Sequence, residues 1–192
     1  ASVGAVAVGL AGGPVSVVFA AAAAVIVAAA LLASVAMYAV ATLGACSDSK
    51  FKTYRGPEVT GVVVNKGERK MYLLNDDRVL KDYDIKLGFA PEGHKQIEGD
   101  GKTPEGLYRI DRRNPNSRFH LSLGISYPNA EDIRVAQEMG KSPGGEIFIH
   151  GQRHPMRLDK DDWTWGCIAV SNKEIEKIYA MIKDGVPIAI NA

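Results

Sequence analysis

The first 47 residues of this 192-residue chain contain no charged side chain, and the first one along the chain is Asp48. After that point neither sign of charge dominates, because 23 Lys and Arg stand against 22 Asp and Glu and the net charge is +1. No basic block or one-sided basic stretch is present, which argues against a nucleic-acid-binding protein. The mixed, non-periodic composition also excludes collagen, repeat and disordered classes.

What the N-terminal part does contain is one long apolar run. Residues 15–43 are 29 positions with only four polar side chains, Ser16, Ser34, Tyr38 and Thr42. A helix of about 20 apolar residues crosses a bilayer core, so we expect this run in or across a membrane. Two interpretations stay open. The run is long enough for a tilted anchor, and as an export signal it is long and lacks a positively charged start.

The end of the run favours export. Leu43, Gly44, Ala45 and Cys46 resemble a bacterial lipoprotein box, which implies lipid attachment at Cys46. We therefore expect residues 1–46 to be a leader or anchor, residues 47–57 a polar tether, and residues 58–192 one soluble domain. That domain is predicted to be periplasmic and membrane-associated, through a lipid or through the N-terminal helix.

Cysteine is scarce, with Cys46 and Cys167 as the two residues of this type. An exported domain can carry a disulfide. If Cys46 carries a lipid, however, Cys167 has no partner. An unpaired thiol in an oxidising compartment is a hazard unless it has a use, which makes Cys167 a candidate functional residue.

The domain has the pattern of a mainly β protein with peripheral helices. Short strands are predicted at residues 59–65 and 69–74, joined by a turn, and at 79–87, 107–110, 120–126, 146–150 and 186–190. Residues 91–106 are rich in Gly and Pro and are predicted to be a loop. One helix should begin after Asn129 and stop at Gly140, and a second should follow the capping box at Ser171 and stop at Gly185.

One histidine and one cysteine are spaced so that they could form a catalytic pair. An apolar strand ends at His150 and Gly151, and residues 164–170 (TWGCIAV) bring Cys167 in behind Gly166. A neighbouring His can accept the proton of a Cys nucleophile, and backbone N–H groups near Cys167 could hold an oxyanion. Taken alone, such a pair is more often a packed His and an inert buried thiol.

Several ordered segments resemble the YkuD-type L,D-transpeptidase family, in its Gram-negative lipoprotein-type branch. They are the HG after the strand, the TWGCI segment, GDGKTPEG at residues 99–106, SRFHLSLGISYPN at 117–129 and DWTWGCIAVSN at 162–172. The resemblance extends over roughly residues 59–190. It implies the family's β-rich catalytic fold.

The resemblance also implies a mechanism. Cys167 would attack the diaminopimelate carbonyl of a peptidoglycan stem tetrapeptide, release D-Ala and keep a thioester, with His150 as the acid/base. An amine would then take the acyl group, in cell-wall cross-linking or remodelling that bears on cell shape. Gly151, Thr164, Trp165 and Gly166 are the expected substrate-binding positions. The family requires no metal or organic cofactor.

Two positions depart from the family pattern, which often has His or Arg where Trp165 stands and Arg or Asn where Ala169 stands. Substrate contacts there, and hence the acceptor, stay open. The alternative is an L,D-carboxypeptidase or amidase that uses the same pair to hydrolyse stem peptides or to release a murein-linked lipoprotein. A non-catalytic wall-binding module is the hypothesis from another class.

The remaining polar candidates have simpler interpretations. His154, four residues after His150, could suggest a zinc site with Cys167 and Asp159 or Asp161, but Gly151 and Pro155 make a helix with that spacing unfavourable. His120 is predicted to be packed or hydrogen-bonded, and His94 to be solvated. The loop at residues 99–106 lacks the Walker pattern and is predicted to be a structural turn.

Overall fold

The predicted mainly β domain with peripheral helices is confirmed in a computed structural model, which describes residues 49–152 and 162–192. These residues form eight strands and two helices. In chain order they are β1 (Gly61–Asn65), β2 (Lys70–Asn75), β3 (Arg78–Asp84), β4 (Gly106–Asn114), β5 (Ser122–Ile125), α1 (Ala130–Glu138), β6 (Phe148–His150), β7 (Ile168–Ala169), α2 (Asn172–Met181) and β8 (Pro187–Asn191).

The strands form one sheet in the order β3-β2-β1-β8-β4-β5-β6-β7. The pairs β1–β8 and β6–β7 are parallel, and the remaining neighbours are antiparallel. The predicted hairpin is β1–β2, with its turn between Asn65 and Lys70. The C-terminal strand β8 is inserted between β1 and β4, so the end of the chain holds the two parts of the sheet together.

Alternating side chains of the hairpin build one side of the core. Val62, Val64, Met71 and Leu73 are buried while the residues between them are partly exposed, as the two-residue period of a strand requires. The buried cluster continues through β5 and β6 to α2. One contiguous core therefore supports both the hairpin and the end of β6.

Strand β4 belongs to two halves of the sheet. Its first residues pair with β8, from Gly106 to Arg109, and its later residues pair with β5 from Ile110 onwards. The register shifts between Ile110 and Arg112, which is the signature of a bulge that bends a strand. Strand β4 therefore joins the hairpin half of the sheet to the half that contains β5, β6 and β7.

Both helices start where the capping residues predicted. Asn129 accepts hydrogen bonds from the first-turn N–H groups of α1, and Ser171 accepts one from Glu174 in α2. The expected end of α2 at Gly185 is wrong, because the helix stops at Met181 and Ile182 takes an extended conformation. That conformation leads the chain into the turn before β8, where Gly185 has a φ of +91°.

Part of the predicted tether contacts the domain. The ammonium of Lys50 donates to the carbonyl oxygens of Pro115 (2.7 Å) and His120 (3.3 Å), and the Phe51 ring lies 6.4 Å from the Tyr179 ring. Residues 49–57 form neither a helix nor a strand. No helix within residues 49–152 and 162–192 is long and apolar enough to span a bilayer.

Asp132 anchors α1 to the sheet through a buried hydrogen-bond network. Its side chain is 5% exposed, accepts from the Tyr108 hydroxyl at 3.0 Å and the Asn129 N–H at 2.8 Å, and lies 3.1 Å from Nε2 of His94. The Nδ1 of His94 accepts from the N–H of Glu105. The expectation of a solvated His94 is therefore wrong, because both of its ring nitrogens are used inside the protein.

We predict that Asp132→Ala lowers the free energy of unfolding by about 3 kcal/mol, because it leaves buried donors without an acceptor. Urea denaturation followed by circular dichroism measures this. Glu138→Ala is the matched control on the same helix. It removes only an exposed ion pair with Arg134 and should cost no more than about 0.5 kcal/mol. Equal shifts for the two variants would show that the network does not anchor α1.

Candidate active site

His150 ends β6, between strands β5 and β7, and only 4% of it is exposed. Its Nδ1 lies 2.6 Å from the carbonyl oxygen of Gly151. A carbonyl oxygen only accepts hydrogen bonds, so Nδ1 carries the proton and donates. Nε2 is then left with a lone pair, as a general base requires.

Two aromatic rings hold the imidazole of His150 in place. The Phe119 ring centroid is 4.5 Å from the imidazole centroid, and the Trp163 centroid is 5.7 Å from it. Burial among these groups lowers the pKa of His150, and the hydrogen bond to Gly151 offsets part of that effect. The imidazole is therefore neutral near pH 7, the form that can accept a proton.

Gly151 lets three parts of the chain meet behind His150. A β-carbon at this position would lie 2.5 Å from Oδ1 of Asn172 and 2.9 Å from the carbonyl oxygen of Phe119. The Asn172 oxygen also accepts the N–H of Gln152 at 2.6 Å. In the structure Gly151 allows this close packing, and its carbonyl oxygen accepts the hydrogen bond that orients the imidazole of His150. The expected contact between Gly151 and substrate stays a prediction.

Cys167 lies immediately before β7, and the parallel ladder places it beside the end of β6. Ile149 pairs with Ile168, and His150 pairs with Ala169. The thiol of Cys167 donates to the carbonyl oxygen of Glu146 at 3.5 Å. Burial raises the pKa of Cys167 to about 11, although a hydrogen bond from the Phe148 backbone acts in the opposite direction. The resting side chain is thus a neutral thiol.

Thr164 and Gly166 shape the turn that presents Cys167. The buried Thr164 hydroxyl donates to the carbonyl oxygen of Cys167 at 2.7 Å and accepts from the N–H of Gly166 at 3.1 Å. Gly166 has a φ of +118°, and a β-carbon there would lie 2.5 Å from the carbonyl oxygen of Lys102. Glycine is required at this position by conformation and by space. Contacts of either residue with substrate stay predictions.

The loop at residues 99–106 packs against the turn that carries Cys167, so its prediction as a structural turn is confirmed. The Asp100 carboxylate accepts from the backbone N–H groups of Gln96, Ile97 and Lys102. The hydroxyl of Thr103 accepts from the N–H of Gly88. The loop places the Lys102 carbonyl oxygen against Gly166. This contact fixes the position of the turn that carries Cys167.

Trp165 projects outward from the same turn. It is 71% exposed and meets the Phe89 ring edge-on, with the centroids 5.0 Å apart. Trp163, two residues away, packs inward against Phe119 and His150. Trp163 thus packs against the catalytic histidine, and Trp165 lies exposed at the mouth of the site.

His150 and Cys167 open into a single cavity of about 700 Å³. Trp165, Thr164 and the connection between β4 and β5 all contribute to its lining. Described side chains that line the cavity are Asn114, Asn116, Ser117, Arg118, Phe119, Ser122, Glu146, Phe148, His150, Trp163, Thr164, Trp165 and Cys167. The predicted pair thus shares one space that is large enough for part of a peptide.

Phe119 and Glu146 are the site residues that sequence reasoning missed. Phe119 lies in the segment at residues 117–129 that carries the family resemblance, but nothing local indicates that its ring stacks on His150. Glu146 takes a left-handed backbone conformation with a φ of +56°, and its carbonyl faces the thiol. Such a conformation is uncommon outside glycine and is not readable from a single glutamate.

Other histidines have structural partners or fall outside the described residues. His120 makes the expected hydrogen bond, with Nε2 at 2.8 Å from Glu176. It precedes β5 with a φ of +74°, so the strand starts later than predicted. His154, Asp159 and Asp161, like Cys46 and the leader, lie outside residues 49–152 and 162–192. In those two ranges no group of three His, Cys, Asp or Glu is placed to hold a metal ion.

Comparisons with known proteins agree with this geometry. A family model for YkuD, the L,D-transpeptidase catalytic domain, matches residues 60–190. YafK of Escherichia coli K12 is 34% identical over 107 residues, which cover 55% of this chain and 38% of YafK.

Solved structures extend the comparison. The helical cell shape determining protein Pgp2 from Campylobacter jejuni superposes with a TM-score of 0.55 at 33% identity, over 71% of this chain and 49% of Pgp2. Bd1075 of Bdellovibrio bacteriovorus gives a TM-score of 0.49 at 24% identity, over 73% of this chain and 50% of Bd1075. The aligned part thus spans half or less of each relative.

The family match covers the sheet, both helices and the cavity that holds Cys167 and His150. The chain therefore belongs to the YkuD family of L,D-transpeptidase catalytic domains.

Proposed function

We propose that the protein is a cysteine-dependent L,D-transpeptidase that acts on peptidoglycan stem peptides. The observation that carries this proposal is the meeting of a thiol and a neutral imidazole in one cavity, in a chain of this family. The donor is a stem tetrapeptide, the leaving group is D-Ala, and the acceptor is an amine. The relation to Pgp2, a cell shape determining protein, supports a role in wall shape.

Acylation begins with the neutral pair. Nε2 of His150 takes the proton from Sγ of Cys167 as the sulfur attacks the diaminopimelate carbonyl. The tetrahedral intermediate then expels the amine of D-Ala, which takes the proton from the imidazolium of His150. The products are free D-Ala, neutral His150 and a thioester on Cys167.

The oxyanion of that intermediate needs a backbone donor near the sulfur. The N–H of Gly166 already donates to Thr164. Within residues 49–152 and 162–192 the N–H of Cys167 donates to no acceptor. We therefore assign the Cys167 N–H as an oxyanion donor, held in position by the hydrogen bond between Thr164 and the Cys167 carbonyl.

The second half-reaction sets the outcome. An amine from another stem peptide or from a protein lysine attacks the thioester while His150 takes its proton, and the result is a transfer. Water in the same position gives a carboxypeptidase or an amidase that releases shortened stems or a murein-bound lipoprotein. The half-buried Cys167 admits either nucleophile, so the product decides between the two activities.

We further propose that the domain works in the periplasm and stays near the membrane through Cys46. The support is the sequence alone, a lipoprotein-box-like end to a charge-free leader. Peptidoglycan lies outside the cytoplasmic membrane, so such a location would bring the enzyme to its substrate.

Replacement of the catalytic pair tests the chemistry. We predict that Cys167→Ser lowers turnover of purified muropeptides by at least about a thousandfold, and that His150→Gln lowers it by about a hundredfold or more. His120→Gln is the matched control, because this histidine pairs with Glu176 away from the thiol. Activity should stay within about threefold of wild type there. Full activity in Cys167→Ser would overturn the proposed mechanism.

The same incubation, read by mass spectrometry, identifies the acceptor. New cross-linked dimers together with released D-Ala are the expected products of a transferase. Shortened stems or freed lipoprotein without any dimer would instead assign the hydrolase, with the same acyl-enzyme.

The resting protonation state gives a prediction about pH. In the Cys46→Ser protein Cys167 is the sole thiol, and its ultraviolet thiolate absorbance should appear around the raised pKa of about 11. The acid limb of activity should lie below the usual histidine pKa of about 6.5, because burial lowers the pKa of His150 and protonation removes the base. A thiolate signal already complete at pH 7 would show a resting ion pair instead.

Lipid attachment is tested in cells. Metabolic labelling with a tagged fatty acid should mark the wild-type protein, and Cys46→Ala should abolish the label. Cys167→Ala, the matched control, should keep it. Labelling that survives in Cys46→Ala would contradict the anchor.

A further inference from the structure

Among the described residues that line the catalytic cavity, Arg118 is a cationic side chain that is paired with no carboxylate. Among its described lining residues, the charged side chains are Arg118 and Glu146. The Glu146 carboxylate pairs with Arg112 at 3.4 Å. The exposed guanidinium of Arg118 has no ion pair with any described residue. His150 is neutral and Cys167 is a thiol at neutral pH, so neither member of the pair carries a charge that competes for an anionic ligand at Arg118.

Arg118 belongs to a connection that several contacts hold in place. The Asn114 side chain accepts from the N–H of Asn116 at 3.0 Å, and the Ser117 hydroxyl accepts from the N–H of Phe119 at 3.1 Å. The Lys50 ammonium donates to the carbonyl of Pro115 at 2.7 Å. The base of the Arg118 side chain is therefore fixed, although its guanidinium end is exposed.

The next residue ties Arg118 to the catalytic base. The Phe119 ring stacks 4.5 Å from the imidazole of His150, so the backbone of Arg118 is positioned by the same packing that positions the base. A ligand held by Arg118 therefore lies in the same cavity as the imidazole.

A guanidinium on a cavity wall selects carboxylates, because its planar N–H fork matches the two carboxylate oxygens. If the proposed function is correct, the donor is rich in such groups. A stem tetrapeptide ends in the carboxylate of D-Ala and carries another on the diaminopimelate side chain. Both lie close to the carbonyl that Cys167 attacks.

We propose that Arg118 is a specificity residue that binds a carboxylate of the donor stem peptide beside the scissile bond. This inference rests on the proposed function and adds to it the recognition of donor charge. The D-Ala carboxylate and the diaminopimelate side-chain carboxylate offer the same chemistry, and amidated substrates separate them.

Steady-state kinetics on three synthetic tetrapeptides tests the proposal: the free acid, the C-terminal D-Ala amide and the diaminopimelate side-chain amide. With the free acid, Arg118→Gln should raise KM about tenfold and change kcat less than about twofold, the loss expected for one charge-assisted hydrogen bond. Arg118→Lys should recover part of the loss, because a lysine keeps the charge without the fork.

Wild type should lose a similar factor on the one amide whose carboxylate Arg118 binds, and Arg118→Gln should lose nothing further on that amide. A loss confined to the D-Ala amide assigns the terminal carboxylate. A loss confined to the other amide assigns the side chain. Added salt should raise KM for wild type and leave KM of Arg118→Gln nearly unchanged.

Arg78→Gln is the control, an exposed arginine on β3 at the opposite edge of the sheet, and should behave as wild type. Equal KM values for wild type and Arg118→Gln on all three peptides would overturn the role of Arg118 while leaving the proposed function intact. Absence of turnover of every peptide by wild type would overturn the proposed function itself. A thermal melt checks that Arg118→Gln is folded.

Discussion

The position of the nucleophile depends on a very short parallel ladder. Strand β7 is two residues long, Ile168 and Ala169, and pairs with the last two residues of β6. On its other side Ala169 forms an antiparallel bridge with Lys86, and Thr164 forms a parallel bridge with Gly88. Backbone hydrogen bonds between residues 86–89 and Trp163, Thr164 and Ala169 reinforce this ladder, and close packing of the backbone completes the support of the Cys167 turn.

Glycine supplies that packing. Gly88 lies so close to Gly101 that a β-carbon on Gly88 would stand 2.0 Å from the Gly101 carbonyl oxygen, and Gly166 contacts Lys102 just as tightly. Three segments that are distant in sequence, at Gly88, at residues 101–102 and at Gly166, thus meet backbone to backbone beside the Cys167 turn. This explains in physical terms why a GDGKTPEG loop accompanies the TWGC segment, although the loop contributes no side chain to the cavity.

Most of the elements could be predicted because their signals are local. Alternation within residues 59–65 and 69–74 predicts the hairpin, and Asn129 and Ser171 predict the helix starts. The missed features are long-range. Two residues are too few to show a period, so β7 was not predicted, and nothing within β8 indicates that it lies between β1 and β4.

The same distinction applies to the site. His150 and Cys167 were predicted by pattern and resemblance, whereas the stacking of Phe119 on His150 and the orientation of the Glu146 carbonyl arise from tertiary packing. Whether a charged side chain of the cavity lining has a partner depends on ion pairs that form only in the folded chain. Only the folded chain shows that Arg112 pairs with Asp111 and Glu146, whereas Arg118 pairs with no carboxylate among the described residues.

If the proposed transferase activity is correct, the side chains of the cavity also bear on where an acceptor amine binds. The guanidinium of Arg118 would repel an ammonium acceptor, because both carry positive charge. Trp165, which also lines the cavity, exposes 71% of its surface next to the half-exposed Phe89, and aromatic faces attract cations. The donor carboxylate at Arg118 and the acceptor amine at Trp165 would thus bind to different residues of the cavity lining. The departure from the family's usual His or Arg at position 165 then removes a cation that would repel the acceptor.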